Sequence, residues 1–423
     1  MRYILKPNFV IIAIFLTCFY SNSEAQSFGK GGINTVNSAV PFLRIVPDAR
    51  GGGMGDVGIA TSVDPNTSFY NASKLAFARR KVGIALSYAP WLRALGITDI
   101  YMAHFTGYYK VSQNDVVHTS LKFFSLGDID FTDAAGNPIG SGHPRELAFD
   151  AGYSRKLGKH WALGVAFRYI YSNLASGQSI GSEPIKAGNA FGADLSGTYN
   201  LDFTVGKKKM KANFMSGFAI TNIGTKISYT ANAREKDFIP ANLGLGYGFR
   251  LQPSKYHEWG IYLDVNKLLV PTPKVGDKDS NNIPDFKQQS SIKGIFTSLG
   301  DAPGKFKEEL REWTLGIGTE YWYDHIFAVR AGYFLEAKDK GNRRFVSAGV
   351  GVKYSVFGLD FSYLIPTGGA RNPLDNTFRF TLKFDFAKVG GNQPKDEGDD
   401  INDTTDKVDK STLKRIRKSK KGQ

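Results

Sequence analysis

The chain has 423 residues, with 54 Lys and Arg against 39 Asp and Glu, a formal net charge of +15, 47 Gly, 31 Phe, 20 Tyr and a single Cys. One cysteine excludes a disulfide framework and a thiolate metal cluster, and the lack of any composition break before about residue 388 favours one large domain over several. A balance this basic suits nucleic acid or an anionic surface, and the export signal that opens the chain removes nucleic acid as a partner, leaving outer-membrane lipid, lipopolysaccharide or acidic proteins.

Met1 to Ala25 carries Arg2 and Lys6, an apolar run from Phe9 to Tyr20, and Ser23-Glu24-Ala25 as a small-x-small cleavage site. This pattern predicts a signal peptide over 1–25. The run is too short to span a bilayer, and no later stretch offers the roughly 20 consecutive apolar residues of a spanning helix. Cys18 lies inside the signal, and Thr17 is a poor neighbour for a lipidated cysteine. From Ala39 to Ala78 the chain is rich in glycine and small residues with no sustained alternation, so 26–80 is expected to fold inward as an N-terminal plug. Within it, Arg50-Gly51-Gly52-Gly53-Met54-Gly55-Asp56 lacks the Lys-Ser/Thr ending of a phosphate loop and reads as close backbone packing.

After residue 80 the hydrophobic period becomes two. Strands are expected near 82–89, 99–110, 116–125, 146–156, 161–172, 189–202, 211–222, 240–250, 258–267, 313–323, 326–336, 344–354, 357–364 and 377–386. In 161–172, Trp161, Leu163, Val165, Phe167, Tyr169 and Tyr171 share one face, opposite Ala162, Gly164, Ala166, Arg168 and Ser172. The last strand sets Phe378, Phe380, Leu382, Phe384 and Phe386 against Arg379, Thr381, Lys383 and Asp385. Apolar faces rich in aromatic residues suit lipid, and the polar faces, with Lys122, Asp194, Asp264, Glu320, Lys353 and Asp360, suit a lumen. The gaps alternate long and short, as outer-membrane barrels require. The long ones lie near 90–98, 126–145, 173–188, 223–239, 268–312 and 365–376, with a modest one at 337–343; the short ones include Asp324-His325 and Ser355-Val356. The reading is an all-β, 14-stranded antiparallel transmembrane β-barrel over 81–388, with both termini on the periplasmic side. Residues 389–423, acidic from Asp396 to Asp409 and basic from Lys414 to Lys421, cannot bury a core and form a charged tail.

Two loops carry candidate sites. Asp277, Asp279, Asn281 and Asp285 space oxygen side chains as a Ca²⁺ loop does, although Asn282 stands where glycine usually turns the chain; an ordinary polar external loop is the favoured alternative. Trp91, Leu92 and Leu95 in the first long loop, and Leu268, Leu269, Val270, Ile295 and Phe296 in the 268–312 insertion, either mark a partner surface or pack on one another to close the barrel mouth. No histidine belongs to a catalytic or metal motif, so neither catalytic residues nor a cofactor other than that Ca²⁺ is expected.

The segment Pro41 to Arg50, PFLRIVPDAR, continuing through Gly53 to Ala60, closely resembles the opening of the PorV family, outer-membrane proteins of the type IX secretion system. Further likeness lies at Tyr88 to Leu92, Phe124 to Ile129, Arg168 to Ala175 and Asn372 to Thr377; Asn71-Ala72-Ser73 departs from the family's Asn-Pro-Ala. The resemblance implies a FadL-like barrel in the outer membrane of a Gram-negative bacterium. It also implies a non-enzymatic shuttle that takes the C-terminal signal domain of secreted cargo from the translocon barrel to an attachment complex containing a sortase-like peptidase. The alternatives are a FadL-like transporter of hydrophobic small molecules and, more remotely, a lipid A deacylase.

Overall fold

The computed structural model describes residues 34–388 apart from 94–95, 133–134, 176, 181–182, 231–235, 274–282 and 368–376. Strict period-two alternation makes each expected segment a strand. These are β1 (Arg80–Pro90), β2 (Ile100–Lys110), β3 (Asp115–Leu126), β4 (Arg145–Leu157), β5 (Trp161–Asn173), β6 (Gly188–Val205) and β7 (Met210–Gly224), followed by β8 (Asn242–Ser254), β9 (His257–Leu268), β10 (Trp313–Tyr323), β11 (Phe327–Leu335), β12 (Arg344–Tyr354), β13 (Phe357–Pro366) and β14 (Phe378–Lys388). Each pairs antiparallel with the next. The register Val82↔Phe386 to Tyr88↔Phe380 joins β1 to β14 and closes the barrel, so no edge is left to present unpaired backbone to lipid.

Side chains obey the pleat. On β5, Trp161, Leu163, Val165 and Phe167 are exposed, whereas Ala162, Ala166, Arg168 and Ser172 are buried. On β14, Phe378, Phe380 and Phe386 point out and Arg379, Thr381 and Lys383 point in. The barrel is thus inverted relative to a soluble sandwich, and its polar core has to be satisfied from within.

The N-terminal segment does this. It comprises a 3₁₀ turn at Pro41–Arg44, α1 (Ala49–Gly52), α2 (Thr67–Asn71) and a second 3₁₀ turn at Ala72–Phe77. Its backbone amides donate to wall side chains: Ala49 to Thr381 Oγ1 (2.8 Å), Gly55 to Ser347 Oγ (2.8 Å), Gly58 and Ile59 to Asp264 Oδ2 (2.7 and 2.9 Å), and Ser73 to Ser196 Oγ (3.1 Å). Lys122 Nζ donates to the Ile45 carbonyl at 2.6 Å and Lys110 Nζ to that of Ala78 at 2.8 Å. These hydrogen bonds hold the segment together with the burial of its own apolar groups, among them Phe42, Met54, Val57 and Leu75.

One expectation is corrected. The strand path begins and ends at the short-turn end, but Asn34 lies at the long-loop end: its amide donates to the Asp339 carbonyl (3.2 Å) and its side chain to Glu308 Oε1 (3.1 Å). The chain therefore runs the length of the lumen, from the long-loop mouth to Arg80, before it enters the wall.

Candidate functional site

Three features define the interior and its mouth. In the lumen, Glu320 accepts from Arg50 Nε (2.9 Å), Arg50 Nη2 (2.8 Å) and Arg330 Nε (2.7 Å), and Arg330 Nη1 reaches Asp360 Oδ1 at 2.8 Å. Asp360 pairs in turn with Lys383, and Arg50 with Asp64 at 3.2 Å. Arg379 Nη1 meets Asp56 at 3.2 Å. These alternating charges tie the plug to β10, β11, β13 and β14, and they account for the inward Glu320, Asp360 and Lys383 that the sequence placed in a lumen.

The plug also touches the wall with backbone on backbone. A Cβ on Gly55, whose φ is +73°, would lie 2.6 Å from the Tyr333 carbonyl oxygen, and one on Gly332 would lie 2.0 Å from the Met54 carbonyl carbon. The glycine-rich stretch is thus a packing device. Two cavities, one among Asp48, Arg50, Met54 and Tyr70 and one beneath Phe238, Leu269 and Ile295, measure about 10 Å³ each, room for about one water.

At the long-loop end, Val40, Phe42 and Leu43 form an apolar stopper with Trp91, Met102, Phe124, Ile170 and Ile227. Phe124 stacks on Phe42 with ring centroids 6.5 Å apart and meets Trp91 edge-on at 5.2 Å. Trp91 is therefore buried and Leu92 packs against the same cluster; Leu269 is buried beside Phe238, and Leu268 and Ile295 are half-buried. Of the two arrangements the sequence left open for these residues, Trp91, Leu92 and Leu269 take the packed one, and Trp91 joins the cluster through Phe124, which stacks on the plug's Phe42. Leu95, Asp277, Asp279 and Asn281 lie outside the described residues; Asp285 opens the helix α3 (Asp285–Gln288).

Among the described candidates Phe296 alone stays strongly exposed, at 71%. It lies on α4 (Ser291–Thr297), whose N-cap Ser290 accepts from Lys293 N and whose Gly294 packs on Phe238 and Pro271. The following α5 (Lys305–Arg311) carries Phe306, exposed at 73%. Ile292 with Phe296, and Phe306 with Leu310, are spaced four apart on their helices, so each short helix turns an apolar pair outward. Phe306, Leu310, Ile292 and Leu299 were missed in the sequence. The signal was there in the i, i+4 spacing of SIKGIF and KFKEEL, but seven-residue helices are too short for periodicity to stand out.

A charged clamp holds α5. Lys340 Nζ binds Glu308 Oε1 (2.6 Å) and Glu312 Oε1 (3.0 Å), while Lys267 Nζ binds Glu309 Oε1 (2.6 Å) and Glu312 Oε2 (2.7 Å). Asp301, Glu309 and Glu312 converge as a cation site would, but the two ammonium groups already supply the positive charge. The hydrogen bond from Lys340 is the main cause holding the Glu308 carboxyl below its ordinary value of 4.5. Burial pushes Glu312 up, and the bonds from Lys267 and Lys340 outweigh it and leave it lowered. Burial also opposes charge on Lys340, yet Glu308 and Glu312 raise it above 10.5. Depressed carboxyls stabilise above 4.5 and lose that contribution as pH falls through their folded values; the raised amine stabilises below 10.5 and loses its contribution as pH rises through its folded value. Acid should thus free α5. The expected result is that hydrogen-exchange protection of Lys305–Arg311 falls between neutral pH and about pH 3 while β-strand amides stay protected; protection unchanged across that range would refute the clamp.

A closed barrel of antiparallel strands, apolar outside, polar inside and filled by its own N-terminal segment, defines the class: a plugged β-barrel of outer-membrane type. The family model described as Type IX secretion system protein PorV matches residues 29–275, and the chain belongs to that family. Similar solved structures include the P. putida toluene transporter TodX (TM-score 0.47, 11% identity, 82% of this chain and 99% of that one). The Ralstonia pickettii toluene transporter TbuX (0.44, 12%, 81% and 99%) and a Pseudomonas aeruginosa FadL homologue (0.40, 10%, 84% and 99%) are others. Comparison with curated proteins gives no match.

Proposed function

We propose that this chain sits in the outer membrane with its long loops outside and serves type IX secretion as a non-enzymatic shuttle. It takes the C-terminal signal domain of cargo leaving the translocon barrel and passes it to the surface attachment complex and its sortase-like peptidase. The observation that carries the reading is the outward apolar face of α4 and α5, with Phe296 and Phe306 each more than two-thirds exposed at the long-loop end. Aromatic groups so placed are the usual anchors of an interface. Ile292, Leu299 and Leu310 of the same insertion are exposed too, and the clamp at Lys267 and Lys340 holds α5 in position before any partner arrives.

The rival reading, transport of small hydrophobic molecules, requires a path through a lumen that the plug fills. In the double variant Phe296→Glu/Phe306→Glu, affinity for a cargo signal domain should fall by about 30-fold or more, the loss of one or two anchors worth about 2 kcal/mol or more. Titration of purified variant against labelled signal domain measures it. Undiminished binding by a correctly folded barrel, together with loss of fatty-acid uptake in a deletion strain that secretes normally, would favour the transporter instead.

A further inference from the structure

A cluster of lysines marks the short-turn end. Lys207, Lys208 and Lys209 form the β6–β7 turn, Lys211 follows on β7, and Lys159 stands on the adjacent β4–β5 turn; all five are exposed. The β6–β7 hairpin also projects. Pairing between β6 and β5 ends at Tyr199↔Trp161, whereas pairing with β7 runs on to Val205↔Met210, so Leu201–Val205 continue past the end of their neighbour.

The same end releases the C-terminal stretch. β14 leaves the wall at Lys388, paired with Arg80, and the sequence then holds seven acidic residues and one lysine between Asp396 and Asp409. We propose that this acidic stretch of the chain docks on the lysine-tipped β6–β7 hairpin at the short-turn end. β14 and the hairpin lie on opposite sides of the ring. Strands about 4.8 Å apart and tilted about 40° give a barrel about 28 Å across. For a tether of 21 residues, the number from 389 to 409, chain statistics give a root-mean-square span of about 25 Å. Tether length and distance match, which is the condition for the highest effective concentration, so individually weak charge pairs suffice. Four lysines without an acidic residue in the turn meet a segment of opposite sign, and salt should dissolve the contact.

The test is zero-length carbodiimide cross-linking of the full chain in neutral detergent, read by mass spectrometry. Lys207, Lys208, Lys209 or Lys211 should join carboxylates of 396–409, with a yield about tenfold lower in 0.5 M salt than in 20 mM salt. Reversing the four lysines to glutamate should abolish the links, as should reversing Asp399, Asp400, Asp403 and Asp406 to lysine. Combining both sets should restore them, and heat-dependent gel migration reports that each variant keeps its barrel. Tail carboxylates linked only to the basic stretch 410–421, or no rescue in the combined variant, overturns the proposal. So does shielding of the hairpin lysines by phosphatidylglycerol nanodiscs that is unchanged when the tail charges are reversed.

Discussion

Glu320→Ala is expected to lower the unfolding free energy of the plugged barrel by about 3–5 kcal/mol. Glu320 is fully buried on β10 and receives three charged hydrogen bonds, two from Arg50 of the plug and one from Arg330 of the wall. Removing the carboxylate leaves two guanidinium groups facing one another in a low-dielectric interior, and Asp64 and Asp360 neutralise them only in part. Glu320→Gln keeps the shape and some hydrogen bonding, so its loss should be smaller. Urea titration followed by the gel-mobility shift of folded barrels measures both, and an unchanged midpoint for Glu320→Ala would remove this network from the account of plug retention.

Gly332→Ala should displace the plug. The added methyl would sit 2.0 Å from Met54 C and 2.1 Å from Gly55 N, and neither is the end of a flexible side chain. Ordinary overpacking costs about 1–3 kcal/mol because neighbours rotate aside; two backbones in contact have no such escape. The readout is ion conductance in planar bilayers, where the variant should show open-channel steps absent from the parent. Gly107→Ala is the control, since its methyl would meet only the Gly83 carbonyl oxygen at 3.5 Å and Ile84 Cγ1 at 3.8 Å. A silent Gly332→Ala would mean that the plug is not wedged by this contact.

The wall was legible almost residue by residue. Alternation in segments such as Trp161–Asn173 fixes which side chains face lipid, and closure of an even ring follows from the parity of loop lengths. The inward charges were legible as lumen residues but not as pairs, because Arg50 and Glu320 are 270 positions apart and only the fold brings them together. The sequence left Trp91 open between exposure and packing for a related reason: its partners Phe124 and Phe42 are distant in the chain. The insertion 268–312 read as one loop, because α3, α4 and α5 are single-turn or two-turn helices held by tertiary contacts and not by their own propensity. The hairpins Ile129–Thr132 with Pro138–Gly142, and Ser179–Ile180 with Glu183–Pro184, were hidden inside long loops for the same reason of length.

The path of the plug, from Asn34 at the long-loop mouth down to Arg80 in the first strand, constrains biogenesis. A ring that had already shut would have to be threaded with its own leading residues. Sealing the seam between first and last strands must therefore come after the N-terminal thread is laid across the nascent sheet. Polar residues distributed along the whole circumference, from Lys110 and Lys122 through Ser196 and Asp264 to Ser347 and Thr381, can serve as the template on which that sheet curls.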